Sequence, residues 1–373
     1  MIFPEPLRKG DIIGVTATSG GISKEKDIQK VEKAIKNLGD LGYKVIETPN
    51  VRMEEKKFVS SSGEERAKEF FKLYSNDDVK YIVSASGGEF LMEMLPYLDN
   101  YNLKEKKPKW VQGFSDTSLL LFYLTTKYNI ATVHGTNFGG YGRKEIHFSY
   151  MNSINMISNK AESVQESFEK YEAEPIYWQD GMEFELPRPD TKVIYKSLYG
   201  DDAVSFSGRL IGGCADVLRS IIGTPYDYVK TFCSGFDSGM IWYLENCEMS
   251  VADFYRTLWQ MREAGWFKNA NGILIGRTRA KESMKDFSYE DVLHSAFDVL
   301  NIPVIYDIDV GHVELQWTMI NGAFANFEYA KEKGKIKIKK EWNRWVKIKL
   351  FTHCYYYFFS VLREYFFSFS FTR

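Results

Sequence analysis

Residues 109–127, KWVQGFSDTSLLLFYLTTK, constrain the fold more than any other stretch. A short apolar run at Trp110 and Val111 reaches Gly113, a polar turn follows, and residues 119–124 are apolar again. The pattern reads as strand, sharp turn and helix, with Ser115 at the apex. Such an elbow lifts a hydroxyl out of a sheet and aims it at a helix N-terminus. The Gly-x-Ser-x-Gly signature of hydrolase elbows is incomplete, because Thr117 stands where the second glycine would be. The competing reading is that Ser115 or Asp116 only caps the helix.

The surrounding chain repeats this alternation. IIGVTA at 12–17 is a buried-strand pattern followed by a turn at 18–21, and 24–41 has helical spacing with Ile28, Val31, Ala34, Ile35 and Leu38 on one face. Gly42 ends that helix and 44–48 reads as the next strand, which makes a βαβ unit. The turn is not GxGxxG, so no dinucleotide fingerprint is present. A helix over 64–74 and a strand over 81–84 lead into Ala85-Ser86-Gly87-Gly88, and 89–98 reads as a helix. The Gly87-Gly88 pair permits close backbone approach and can present amides to an anion, or it is a plain strand-to-helix turn. Strand 131–133 ends at His134-Gly135. The first ~150 residues are thus expected to form a Rossmann-like parallel sheet with polar turns at the strand C-termini, where such sheets bind ligands.

Residues 158–202 lose periodicity and hold Pro175, Trp178, Gly181, Pro187 and Pro189, the composition of a linker with a surface excursion. Trp178 either packs or offers a ring for stacking near a cleft. From Ser207 a smaller, strand-rich α/β domain is expected. It has strands near 208–211, 240–244, 271–277 and 304–310, helices at 215–222, 250–264 and 289–300, and an edge strand at 335–339. The expected divisions are an N-terminal domain over 1–160, a linker and substrate loop over 161–206, a C-terminal domain over 207–342, and an atypical aromatic tail over 343–373.

A chain of 373 residues exceeds one usual core, in keeping with two domains. Hydrophobic residues at 44% and charged residues at 26% are those of a soluble globular protein, and a net charge of −2 provides no basic field for nucleic acid. No apolar run approaches the ~20 residues that span a bilayer, and the start has no signal-peptide core. The four cysteines, Cys214, Cys233, Cys247 and Cys354, form no CxxC pair, so reduced thiols in a cytoplasm are expected.

A serine nucleophile needs a base, and the base needs a carboxylate to fix its tautomer. The histidines are five. His353 lies in the tail, His147 in a polar loop and His294 in a helix, whereas His134 and His312 both sit beside glycine after a strand. Either of these two fits, as a base or as a core histidine satisfied by hydrogen bonds. Glu245 is a lone acid at the end of MIWYL, costly there unless partnered.

Seven motifs then fall in one order: GDIIGVTATSG at 10–20, SASGGEF at 84–90, GFSDTS at 113–118, HG at 134–135, GRLIGGCADVL at 208–218, YLENCE at 243–248 and DVGHVELQ at 309–316. Over about residues 3–341 the chain resembles the LD-carboxypeptidase family of serine peptidases, in its microcin self-immunity branch. The resemblance implies Ser115 as nucleophile, Glu245 as orienting acid and His312 as base, preferring His312 over His134. It implies an oxyanion hole from the backbone N–H groups of Gly88 and Asp116, and substrate contacts at Gly87 and Trp178. It further implies a small peptide or aminoacyl-nucleotide substrate, a homodimer, and no metal or organic cofactor. Cys214 departs from the pattern, standing where Asn is expected after the glycine pair.

Overall fold

The structure is a computed structural model. It describes residues 1–340 apart from Lys57, Lys160, Tyr177, Trp178 and Asp180. Trp178 and the aromatic tail therefore lie outside the described residues.

The first half supplies five parallel strands: β1 (Ile12–Thr16), β2 (Lys44–Glu47), β3 (Val79–Ser84), β4 (Trp110–Gly113) and β5 (Thr132–His134). The middle contributes β6 (Ser163–Glu166), β7 (Lys170–Tyr171), β8 (Thr191–Lys192) and β9 (Lys196–Ser197). The rest contributes β10 (Ala203–Cys214), β11 (Met240–Glu245), β12 (Ala270–Gly276), β13 (Val304–Ile308), β14 (Met319–Asn321), β15 (Phe324–Ala330) and β16 (Lys333–Lys339).

One six-stranded sheet has the order β14-β5-β4-β3-β1-β2 and one eight-stranded sheet the order β6-β16-β15-β10-β11-β12-β13-β9. Two features were not legible in the sequence. β14 crosses back to the first sheet and pairs antiparallel with β5, Met319 opposite His134. β6, a polar SVQE segment in the excursion, covers β16, so the Lys-Ile alternation at 335–339 is not an edge strand but part of an inner one. Its Ile336 and Ile338 are fully buried while lysines pair with Glu166 and Glu162 on the outside.

Helix Glu25–Asp40 buries Val31, Ala34 and Leu38, and Gly42, at φ 93°, turns the chain into β2. Helix Gly63–Ser75 is capped by the Ser62 hydroxyl, which accepts from Glu65 N–H at 3.2 Å. The run expected as one helix over 89–98 is instead a 3₁₀ turn, Leu91–Met94, and a single helical turn, Leu95–Leu98, with Pro96 in its first turn. Helix Phe148–Ser158 escaped the sequence reading, its Asn and Ser residues breaking the apolar spacing.

Helix Ser118–Tyr128 joins the halves. All its residues but Lys127 are buried. A helix apolar all round belongs inside a core, and Phe122 packs on Trp242 of β11 and on Trp266. At its start, Gly213 of β10 comes so close that a Cβ there would lie 2.9 Å from Ser118 Cβ. The C-terminal ends of the two parallel blocks therefore meet at one place.

Candidate active site

Ser115 follows β4 directly and adopts φ 60°, a conformation that L-residues other than Asn and Asp rarely take. It opens a 3₁₀ turn, Ser115–Thr117, which runs into helix Ser118–Tyr128. The tight space of the elbow comes from Gly113, where a Cβ would lie 2.5 Å from Thr117 Cγ2. Thr117 uses its hydroxyl to donate to Ser84 Oγ at 2.9 Å, tying the elbow to the end of β3. Asn137 Oδ1 accepts from Phe114 N–H at 3.2 Å and holds the other side.

The Gly87-Gly88 turn lies against this elbow. A Cβ on Gly87 would sit 3.0 Å from both Cβ and Oγ of Ser115. Gly88 has φ 153°, and a Cβ on it would meet Ser19 Oγ at 2.2 Å. Neither amide donates to another described residue. The Asp116 side chain does a different task from its backbone. It is 1% exposed and accepts from the Ser19 hydroxyl and from Leu91 N–H. Burial raises its pKa, and those hydrogen bonds and Arg66 act against the rise. One carboxylate thus fastens three turns that border the site. Asp116→Ala is expected to cost about 2–4 kcal/mol in urea unfolding, since it strips two buried donors of their acceptor; a loss under ~0.5 kcal/mol would show the three turns to be held by other contacts.

Glu245 ends β11 with its side chain fully buried. Its Oε2 lies 2.8 Å from His312 Nδ1 and accepts from His312 N–H at 3.2 Å. Gly311, at φ 109°, makes the approach possible: a Cβ there would lie 2.5 Å from Glu245 Oε2. Burial opposes charge on both partners, yet each holds the other ionised. The His312 pKa stands well above the ordinary 6.5 and that of Glu245 below its ordinary 4.5. The His312 loop is itself anchored. Asp309 is fully buried, pairs with Arg277 at 2.5 Å and accepts from Tyr195 O–H at 2.7 Å, while Arg279 donates to His312 C=O at 3.1 Å.

His134, the other histidine expected beside a site, is fully buried at the end of β5. Burial pushes its pKa down to about 4, and neither ring nitrogen has a hydrogen-bond partner among the described residues. Glu245 therefore reaches His312 and not His134. Phe114 bridges the two halves of the site, since it precedes Ser115 and its ring centroid is 4.9 Å from that of His312. Ser115 Oγ itself makes no hydrogen bond to His312 here; such bonds are often long before substrate arrives.

A cleft of about 280 Å³ opens beside Gly87 and Phe114, with Lys30, Arg143, Asn137 and Glu314 on its walls. Arg143 is bound to Glu314 at 3.0 Å, and Tyr150 O–H donates to the same carboxylate at 2.6 Å. A larger hollow of about 590 Å³, lined by Val59, Phe90 and Tyr97, contains none of these groups. The 280 Å³ cleft is the one that borders the Ser115 elbow, through Gly87 and Phe114. The sequence reading did not reach Asn137, Lys30 or Cys247, whose places emerge only when distant loops converge.

A serine at a strand-to-helix elbow and a buried carboxylate–imidazole pair are the parts that serine hydrolases use. Residues 13–135 match the LD-carboxypeptidase N-terminal domain and residues 207–327 the LD-carboxypeptidase C-terminal domain. The chain belongs to the LD-carboxypeptidase family, and it is a serine-type carboxypeptidase. It is 26% identical over 329 residues to the microcin C7 self-immunity protein of Escherichia coli, covering 85% of this chain and 90% of that one. It is 22% identical over 353 residues to the probable murein peptide carboxypeptidase of Bacillus subtilis, covering 90% and 94%. Its fold matches the crystal structure of a microcin self-immunity-like protein (MccF-like) from Streptococcus pneumoniae in complex with AMP, with a TM-score of 0.72, 24% identity, and 90% and 100% of the two chains covered. Among the described residues no helix is long and apolar enough to cross a membrane.

Proposed function

We propose that this carboxypeptidase cleaves the amide joining an aminoacyl group to a nucleotide-like toxin, through an acyl-enzyme on Ser115. The observation that carries the chemistry is the Glu245–His312 pair at 2.8 Å, its imidazole against the ring of Phe114, the residue before a serine held at φ 60°. His312 takes the Ser115 proton as Oγ attacks the carbonyl, then returns it to the leaving amine. Glu245 holds Nδ1–H, which leaves Nε2 as the acceptor and steadies the imidazolium that forms. The oxyanion is received by the backbone N–H groups of Gly88 and Asp116, with the helix N-terminus behind them. Lys30, on the cleft wall, takes the free carboxylate of the substrate. Lys30→Gln should then raise KM about tenfold with a smaller change in kcat; an unchanged KM would move the carboxylate elsewhere.

The nucleotide reading is favoured by the microcin self-immunity relatives, whose structures hold AMP and aspartyl sulfamoyl adenosine. A murein tetrapeptide is the second reading, favoured by the Bacillus subtilis relative. Turnover of an aminoacyl sulfamoyl adenylate and of a murein tetrapeptide, side by side, decides between them. Faster release from the tetrapeptide would reverse the order. In the nucleotide reading Trp178 stacks on the base. The enzyme acts in the cytoplasm as a homodimer, its domains divided near residues 160 and 207. A monomer at working concentration in sedimentation would remove the dimer.

The pH profile follows from the pair. Proton abstraction needs neutral imidazole, so kcat/KM should climb with pH through an apparent pKa above 6.5. Stability runs the other way. A raised His312 pKa stabilises fully below 6.5 and less as pH rises through the folded value, while a lowered Glu245 pKa stabilises above 4.5 and less as pH falls through its folded value. The pair's contribution is thus largest between about 4.5 and 6.5. A kcat/KM already level at pH 6 would contradict the raised His312 pKa.

A further inference from the structure

Cys214 ends β10 as Glu245 ends β11, and the two residues are in register in adjacent parallel strands. Donor atoms of Cys214, Glu245 and His312 all lie within 4.8 Å of one another. We propose that these three residues form a site for a thiophilic divalent cation, Zn²⁺ above all, whose binding withdraws His312 from proton transfer. The ion acts here as an inhibitor and not as a cofactor.

One thiolate, one carboxylate and one imidazole are a donor set that suits Zn²⁺ and excludes Mg²⁺ and Ca²⁺, which take oxygen ligands. Tetrahedral bonds of about 2.0–2.3 Å put neighbouring donors about 3.5 Å apart, so the cluster closes on an ion by movements of about 1 Å. Glu245 Oε1 is buried and has no hydrogen-bond partner among the described residues, so this second carboxylate oxygen is open to an ion. The filled site is neutral, two negative ligands against a double positive charge, as a buried position requires. His312, 23% exposed on its side chain, is the way in. The Cys247 thiol is within hydrogen-bonding reach of the same ring and is a further donor.

Binding rearranges two protons. The Cys214 thiol proton leaves to solvent. The Nδ1 proton of the His312 imidazolium also leaves to solvent as the metal takes its place, and the neutral ring keeps its proton on Nε2. Nε2 is then a donor and cannot accept from Ser115. Cation binding itself does not depend on the proposed role of His312; the loss of turnover does.

The test uses the full chain. Zn²⁺ is titrated against a chromophoric chelator, Co²⁺ absorbance is read in the near ultraviolet, and amide turnover is followed at one equivalent of Zn²⁺ with and without excess chelator. The expected results are a thiolate-to-Co²⁺ charge-transfer band, weakening of Zn²⁺ binding by about tenfold or more in Cys214→Ser and in His312→Gln, and reversible loss of turnover. His353 and Cys354, in the undescribed tail, are the competing donors. A band that survives Cys214→Ser and vanishes in Cys354→Ser overturns the site, as does a wild type with no band. A Cys214-dependent band with turnover intact supports the site and counts against His312 as the base.

Discussion

Ser115→Ala is expected to lower kcat by about 10⁴-fold or more while leaving the melting temperature within a degree or two of wild type. The hydroxyl is partly exposed and holds no other described group, so its loss removes the nucleophile and little else. His312 is different in kind. Removing its ring by His312→Ala strands a fully buried carboxylate, so that variant should lose both activity and about 3 kcal/mol of stability. His312→Gln, whose amide can still donate to Glu245, separates the two effects: activity lost, stability mostly kept. The Ser115→Ala, His312→Gln double variant should be little worse than either single change, because groups that act as one unit do not add. An active Ser115→Ala would end the acyl-enzyme account. A dead His134→Ala beside a fully active His312→Gln would move the base to His134.

Gly311→Ala should be nearly as damaging to catalysis, although the residue contributes no side chain. The added methyl would lie 2.5 Å from Glu245 Oε2 and 2.8 Å from Glu245 Cβ, at a φ of 109° that alanine rarely adopts. The loop must back away, and it carries His312 as its next residue. A displacement of about 1 Å in a positioned base costs about 10²-fold in rate, and the strain should cost about 1–3 kcal/mol in denaturant unfolding. Both readouts matter: kcat falling without change in KM locates the damage in the acid–base pair. Wild-type kcat at wild-type stability would show that the loop relaxes freely and that its glycine is not what positions His312.

What the sequence revealed and what it hid divide along a physical line. The β4 strand, the Ser115 turn and the helix after it were legible because apolar runs and a polar break sit within 19 consecutive residues. Glu245 was conspicuous as an acid ending an apolar strand, and its partner could be narrowed to His134 or His312 from glycine neighbours alone. Choosing between them took either family resemblance or the three-dimensional contact, because the two positions are 67 residues apart for one pair and 111 for the other. Long-range pairings were hidden for the same reason. β14 is three residues long and looks like loop, yet it closes the first sheet against β5. β6 is polar, so nothing announced that it would shield β16. The Asp116 side chain was read as a cap or as the carrier of an oxyanion amide; its grip on Ser19 and Leu91 depends on turns that meet only in the fold.

The most direct measurement is to treat the active full-length enzyme with a fluorophosphonate and map the adduct by peptide mass spectrometry. The account predicts one stoichiometric adduct, on Ser115, formed in step with loss of turnover, and slowed about 10²-fold or more in His312→Gln as the base is removed. An active enzyme that takes up no label, or one labelled at another serine as its activity falls, would contradict it.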